Sequence, residues 1–140
     1  MSSVFEGFLS APETLEAFGE RHFVAAMLRF EAALARAQAA TGLIPESAAL
    51  SIIGTCKVEL FDVAKIVRES ARAGSLAIPM VKVLKETVGL FNPAAVPYVH
   101  FGCTSQDVID TAMAKEIFMI NDFIWENDDR IAPIRDWALS

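Results

Sequence analysis

Cysteine and positive charge are both scarce in this chain of 140 residues. Its two cysteines, Cys56 and Cys103, stand far apart without a Cys-x-x-Cys spacing, so the sequence indicates neither a disulfide framework nor a zinc site. Two reduced thiols are typical of a cytoplasmic protein, and we expect that location. Twelve Lys and Arg against 18 Asp and Glu give a net charge of -6, which disfavours nucleic acid as a partner.

The sequence also has no long apolar run, and we expect no leader sequence. Its longest uncharged stretch, residues 87–106, contains Asn92, Pro93 and Pro97, which exclude a membrane-spanning helix. The amino terminus has no basic region followed by an apolar core. Glycine-rich phosphate loops, a nucleophile elbow and metal-ligand spacings are missing too. We therefore expect no membrane association, no cofactor and no metal.

Apolar residues recur at helical spacing, and with 54% hydrophobic residues the chain can bury a core. The sequence predicts an all-α fold. Ser10, Pro12 and Glu13 indicate the start of a first helix that Gly19 ends or bends. A second helix ends at Thr41-Gly42 and carries an apolar seam that we expect to face the core: Phe23, Met27, Phe30, Leu34 and Ala37.

Four more segments follow the same rules. A helix from Glu46 to about Lys57 should bury Ala49, Ile52, Ile53 and Cys56, and one from Asp62 to Ala73 should present Val63, Ile66, Val67 and Ser70, with Lys65, Arg68 and Arg72 on its solvated side. A turn over residues 74–79 leads to a helix from Met80 to Leu90, after which Asn92, Pro93 and Pro97 predict a loop. The last helix runs from Ser105 to the end with a kink at Pro133, and one apolar side: Ile109, Met113, Ile117, Ile120, Ile124, Ile131 and Ile134.

The segment from Tyr98 to Ala112 joins a polar, hydroxyl-rich loop to the start of that last helix. Thr104 to Asp107 fits a capping box, in which the Thr104 hydroxyl accepts from the Asp107 N–H and the Asp107 carboxylate reaches back to residue 104. Capping alone explains these residues. Unpaired N–H groups at a helix start also attract anions, so the same junction is suited to a substrate carboxylate.

Residues 100–111, His-Phe-Gly-Cys-Thr-Ser-Gln-Asp-Val-Ile-Asp-Thr, resemble the first conserved region of the fumarase/aspartase superfamily, where a Thr-Ser-x-Asp loop binds substrate carboxylate. Residues 27–39, followed by Gly-Leu-Ile-Pro at 42–45, are similar to the amino-terminal helix of its bacterial 3-carboxy-cis,cis-muconate cycloisomerases. The resemblance runs from about Phe8 to the end. It implies an N-terminal helical domain over residues 1–103 and the start of a long helix of the central bundle over residues 104–140.

The resemblance also implies a site. His100, Thr104, Ser105, Gln106 and Asp107 match substrate-binding positions, and His100 is expected to contact or orient the substrate rather than to transfer a proton. The implied partners are a small anionic polycarboxylate and further copies of the chain, as a homotetramer. Asp107 and Asp110 do not form a convincing acid–base pair, so the general acid and base are expected outside this chain.

Residues 75–81, Ser-Leu-Ala-Ile-Pro-Met-Val, resemble the Ile-Pro-Leu-Val pattern of the cycloisomerases, whereas adenylosuccinate lyases have a histidine followed by aspartate there. This favours lactonisation of 3-carboxy-cis,cis-muconate, in protocatechuate catabolism by the β-ketoadipate pathway, over elimination. The later conserved regions of the superfamily have no counterpart here, and we expect a truncated chain without turnover. Two alternatives stay open: an adenylosuccinate lyase-like enzyme, and a stand-alone helical interaction module.

Overall fold

A computed structural model describes residues 12–127, which contain six α-helices and two short 3-10 helices but no strand. The α-helices are α1 (Pro12–Ala17), α2 (Glu20–Ala40), α3 (Glu46–Thr55), α4 (Val63–Ala73), α5 (Ala77–Phe91) and α6 (Ser105–Asn127). The 3-10 helices span Val58–Leu60 and Pro93–Tyr98. The predicted all-α class is confirmed.

The helix ends follow from local chemistry. Gly19 separates α1 from α2, and a Cβ at this position would lie 2.9 Å from the carbonyl oxygen of Glu16, so glycine fits where a larger residue would collide. Asp62 caps α4 by accepting the N–H of Lys65 at 3.0 Å. Gly74 ends the same helix in the left-handed conformation, with φ of 73°. The predicted cap at Ser10 lies outside the described residues.

Helix α2 lies at the centre of the fold and contacts α3, α4 and α6. Its predicted seam is confirmed in part: Met27 is fully buried, and Phe23 and Phe30 are half-buried and pack against the core. Leu34 is half-buried and Ala37 is exposed. The buried face also includes two polar residues, Glu31 and Gln38, which a prediction based on apolar residues alone does not include. Its members are Val24, Ala26, Met27, Leu28, Glu31, Ala35 and Gln38.

Helices α3 and α4 complete the core beside α2. Ala49 and Ile52 of α3 are buried as predicted, and Ile53 and Cys56 are half-buried. In α4 only Ile66 is fully buried, and burial of such a side chain contributes about 1.5–3 kcal/mol. The remaining predicted members, Val63, Val67 and Ser70, are half-buried, and Lys65, Arg68 and Arg72 are exposed as expected.

The region after Gly74 differs from the prediction at two places. Helix α5 begins at Ala77 rather than Met80, because Pro79 falls in its first turn, where the missing N–H has no helical partner to lose. Residues 93–98, predicted as loop, form a 3-10 helix with Pro93 at its start. This short helix packs against α3 and α5 and delivers the chain to the start of α6.

Helix α6 packs against α2 through Val108, Ala112 and Glu116, which are buried. The predicted apolar side is divided: Ile109 is half-buried and packs against the core, Ile120 is half-buried, and Met113 and Ile117 are exposed. The side chain of Ile124, and residues Ile131, Pro133 and Ile134, lie outside what the structure describes. Among the described residues, no helix is both long and apolar enough to cross a membrane.

Candidate substrate-binding loop

Residues 99–104 connect the second 3-10 helix to α6 and form the loop that we call the carboxylate loop. Val99 is buried at its start, and the backbone then turns through two left-handed residues, His100 with φ of 58° and Gly102 with φ of 69°. Glycine adopts this conformation freely, whereas a residue with a side chain is disfavoured there by about 1–2 kcal/mol. The contacts of His100 must offset that cost.

The main contact of His100 is Glu31 on α2. Nδ1 of His100 lies 2.6 Å from Oε1 of Glu31, and the two side chains are 13% and 1% exposed. The other carboxylate oxygen of Glu31, Oε2, is buried without a hydrogen-bond partner among the described residues. Since a buried carboxylate is costly unless it is paired, His100 is the group that stabilises it.

Gln38 makes a second tether between α2 and the carboxylate loop. Its Nε2 donates to the carbonyl oxygen of Phe101 at 2.7 Å. Gln38 is 8% exposed and lies seven residues after Glu31, on the same face of α2. Two turns of one helix therefore hold two successive residues of the loop.

The end of the loop forms the predicted capping box, which is confirmed. The Asp107 carboxylate accepts both the N–H of Thr104 at 2.8 Å and its hydroxyl at 2.9 Å, and the Asp107 N–H donates to Thr104 Oγ1 at 3.4 Å. These bonds from Thr104 lower the pKa of Asp107 below its ordinary value, and the nearby His100 lowers it further.

The capping box determines which predicted donors are available to a ligand. The N–H and hydroxyl of Thr104 are already committed to Asp107. The Ser105 hydroxyl is half-buried and makes no hydrogen bond to any described residue, and the N–H groups of Ser105 and Gln106 belong to the unpaired first turn of α6. The side chain of Gln106 donates to Asp110 at 2.6 Å. Ser105 is thus the hydroxyl that can meet a carboxylate, and Thr104 shapes the loop.

The two cysteines lie near this site but are not activated. Burial and the charge of Glu31 raise the pKa of Cys56 to about 12. Burial also raises the pKa of Cys103, followed by the charges of Asp107 and Glu31. Because the thiolate is the nucleophilic form, the arrangement does not favour covalent catalysis by either thiol.

The predicted site residues line neither of two surface clefts in the described part of the chain. One cleft, of about 420 Å³, lies between α2 and α3 and is lined by Arg36, Glu46 and mostly apolar residues. The other, of about 230 Å³, lies beside α2 and α6, and its lining includes Arg21, Arg29 and Glu116. Residues 12–127 contain no cluster of three or more potential metal ligands.

Sequence reasoning missed Glu31 and Gln38, which hold the loop. Both lie on the stripe of α2 that also contains Met27, Leu28 and Ala35, so helical spacing places two polar side chains on a buried face. A polar residue in such a position needs a partner. That requirement was the available signal, although it does not identify His100 or Phe101.

A model of a protein family described as Lyase matches residues 8–121. The chain therefore belongs to this family, which is the fumarase/aspartase superfamily, and the predicted family membership is confirmed.

Several proteins similar in sequence to this chain are 3-carboxy-cis,cis-muconate cycloisomerases. The protein from Pseudomonas putida is 43% identical over 116 residues, covering 83% of this chain and 28% of the relative. That from Bradyrhizobium diazoefficiens is 46% identical over 112 residues, covering 80% and 25%. The crystal structure of the 3-carboxy-cis,cis-muconate lactonizing enzyme from Pseudomonas putida matches with a TM-score of 0.82 and 39% identity, over 89% of this chain and 28% of that one. This chain thus spans about a quarter of the length of these relatives.

Proposed function

We propose that this chain is the N-terminal portion of a cycloisomerase that lactonises 3-carboxy-cis,cis-muconate to a carboxymuconolactone. One carboxylate of the substrate adds across a conjugated double bond, and a proton is delivered to carbon, so the atoms balance without a redox partner. The role of these residues is to bind and orient a carboxylate. The observation that carries the proposal is the carboxylate loop, with its donors at the start of α6 and its tethers to α2.

The loop suits an anion because several weak effects point to one place. The first turn of α6 presents unpaired N–H groups and a partial positive charge, the Ser105 hydroxyl is available, and His100 lies four residues before the capping residue Thr104. Asp107 already occupies part of this field through Thr104. A substrate carboxylate therefore binds on the Ser105 and His100 side of the loop. Orientation of this kind lowers the activation barrier by several kcal/mol when the geometry is tight.

We propose further that the whole enzyme is a cytoplasmic homotetramer of the β-ketoadipate pathway and that residues 1–140 alone do not turn over substrate. The missing turnover is supported by the chain's span of only 28% of the Pseudomonas putida relative and by the candidate site residues, which line neither of the two clefts described above. The tetramer and the pathway are carried over from the resemblance to the cycloisomerases, and the location from the two reduced thiols. Purified residues 1–140 should consume neither carboxymuconate nor adenylosuccinate. Turnover of either compound, followed by ultraviolet absorbance, would overturn this part of the proposal.

A chimera tests the binding role directly. Residues 8–121 replace the matching segment of the Pseudomonas putida cycloisomerase, and lactonisation of carboxymuconate is measured. The chimera should be active, and Ser105→Ala should lower kcat/KM by about 10- to 100-fold, as expected for loss of one hydrogen bond to a charged group. The control Ser47→Ala, an exposed serine on α3, should leave kcat/KM unchanged.

A second chimera addresses the alternative substrate. The same residues are placed in an adenylosuccinate lyase, and fumarate release is measured. Residues 75–81 resemble the cycloisomerase pattern, so this chimera should be the less active of the two relative to its parent enzyme. Higher retained activity in the lyase than in the cycloisomerase would favour the lyase assignment instead.

A further inference from the structure

Glu31 is a buried carboxylate that the proposed reaction does not use directly. It lies on α2 among core residues and is 1% exposed, and its only described hydrogen bond is to His100. The negative charge of Glu31 also contributes to the raised pKa of both Cys56 and Cys103. A carboxylate retained in such a place, opposite a histidine in the candidate site, calls for a physical reason.

The geometry restricts the protonation of His100. An ionised carboxylate is an acceptor only, so a hydrogen bond across the 2.6 Å between Oε1 of Glu31 and Nδ1 of His100 requires the hydrogen on Nδ1. This leaves Nε2 as the nitrogen available to a ligand, and 13% of the side chain remains exposed. When both nitrogens are protonated, the negative charge of Glu31 stabilises the imidazolium, and Nε2–H is then a charged donor for a carboxylate.

The backbone supports the same conclusion. His100 is the one described residue other than glycine with positive φ, and this conformation brings its ring onto Glu31. Strained residues persist where surrounding contacts determine them, and such positions cluster at functional sites. His100 thus combines an unfavourable backbone conformation with a contact to a buried carboxylate.

We propose that Glu31 is a positioning residue for His100: it holds Nδ1 protonated and makes Nε2 the nitrogen that meets the substrate carboxylate. The role in substrate binding rests on the proposed function, whereas the assignment of the proton does not. Gln38 has a different role, because it donates to the Phe101 carbonyl and makes no described hydrogen bond to the imidazole.

The test is the protonation state of His100, measured by nitrogen-15 NMR on the 140-residue chain. Only two histidines are present, and the exposed His22 can be assigned with a His22→Gln variant. His100 is expected to show a protonated Nδ1, either as the neutral Nδ1–H form or as imidazolium. Glu31→Leu should shift it to the neutral Nε2–H form, because leucine leaves Nδ1 without an acceptor. Gln38→Met, the matched control on the same face of α2, should leave the pattern of His100 unchanged.

Three results would overturn the proposal: a neutral Nε2–H form in the unsubstituted chain, an Nδ1–H form that persists in Glu31→Leu, or the same shift in Gln38→Met. The first of these needs no variant, so the test survives a failure of Glu31→Leu to fold. In the active cycloisomerase chimera, Glu31→Leu should lower kcat/KM at least tenfold; an unchanged value would refute the positioning role. An inactive parent chimera would refute the proposed function instead and leave the NMR assignment standing.

Discussion

Glu31 and His100 lie 69 positions apart in the sequence and depend on each other in the fold. Either side chain alone would be unfavourable: Glu31 would be an unpaired buried charge, and His100 would be a strained residue without its contact. Substitutions of the two residues are therefore expected to have non-additive effects on the free energy of unfolding.

A double-mutant cycle measures this coupling. His100→Ala should destabilise the chain by about 3–5 kcal/mol, because it strands the buried carboxylate. The double variant Glu31→Leu/His100→Ala should lose about 2 kcal/mol less free energy of unfolding than the sum of the two single losses, since leucine leaves no buried charge. Urea unfolding followed by circular dichroism gives the four free energies. Additivity within about 0.5 kcal/mol would show that the pair is not coupled.

Asp107 provides a pH-dependent test. Its pKa is lowered in the folded chain, so the unfolded chain binds the proton more readily, and the stabilisation is present above the ordinary value of 3.8 and is lost as pH falls through the folded pKa. Asp107→Asn should therefore lower the urea midpoint near neutral pH and have little effect at about pH 2. Asp122→Asn, at an exposed position further along α6, serves as control and should have no effect at either pH. An equal deficit of Asp107→Asn at both pH values would contradict the assignment.

At the scale of the element, the helix boundaries were largely predictable because they depend on short-range chemistry. The capping box at Thr104, the cap at Asp62 and the stop at Gly74 each need only four or five consecutive residues. The start of α5 was misplaced because Pro79 is compatible with both a turn and a first helical turn.

The buried faces were less predictable. Counting only apolar residues located Phe23, Met27 and Phe30 on the core side of α2 but missed Glu31 and Gln38, which are buried there too. The partners of these two polar residues are 69 and 63 residues away in the sequence. The exposed apolar side of α6 has the same origin, because spacing shows that a face is apolar and not what covers it. Within the candidate site, the local residues were found from sequence and the tethers were not.

Two glycines give a matched test of helix chemistry. Gly74 ends α4 with φ of 73°, so Gly74→Ala should destabilise the chain by about 1 kcal/mol. Gly54 lies within α3, where a Cβ would meet nothing within 4 Å, so Gly54→Ala should stabilise it by about 0.5–1 kcal/mol. Thermal unfolding would show opposite shifts in Tm. Shifts of the same sign would mean that the backbone of one of these residues differs from the one described.

At the scale of the whole molecule, α6 presents a cluster of exposed apolar side chains. Met113, Ile117 and Phe118 are 45%, 53% and 67% exposed. Apolar surface concentrated in this way binds other apolar surfaces, whereas scattered apolar residues do not.

Dye binding measures the effect of this cluster. The 140-residue chain should enhance the fluorescence of anilinonaphthalene sulfonate, and Phe118→Glu should reduce that signal by at least half. Leu43→Glu, which places the same charge at an isolated exposed leucine, is the control and should change it little. Equal effects of the two substitutions would indicate that the α6 cluster is not the binding surface.

The seven-residue interval between Glu31 and Gln38 sets the distance along α2 between the two side chains that hold the carboxylate loop. Seven residues are nearly two full turns, so both side chains emerge on one line about 10.5 Å apart. Deleting any single residue between them would swing one tether around the axis by about 100° and release either the imidazole or the Phe101 carbonyl. Substitutions on the outer face of this interval are tolerable to the loop, whereas a change in its length is not.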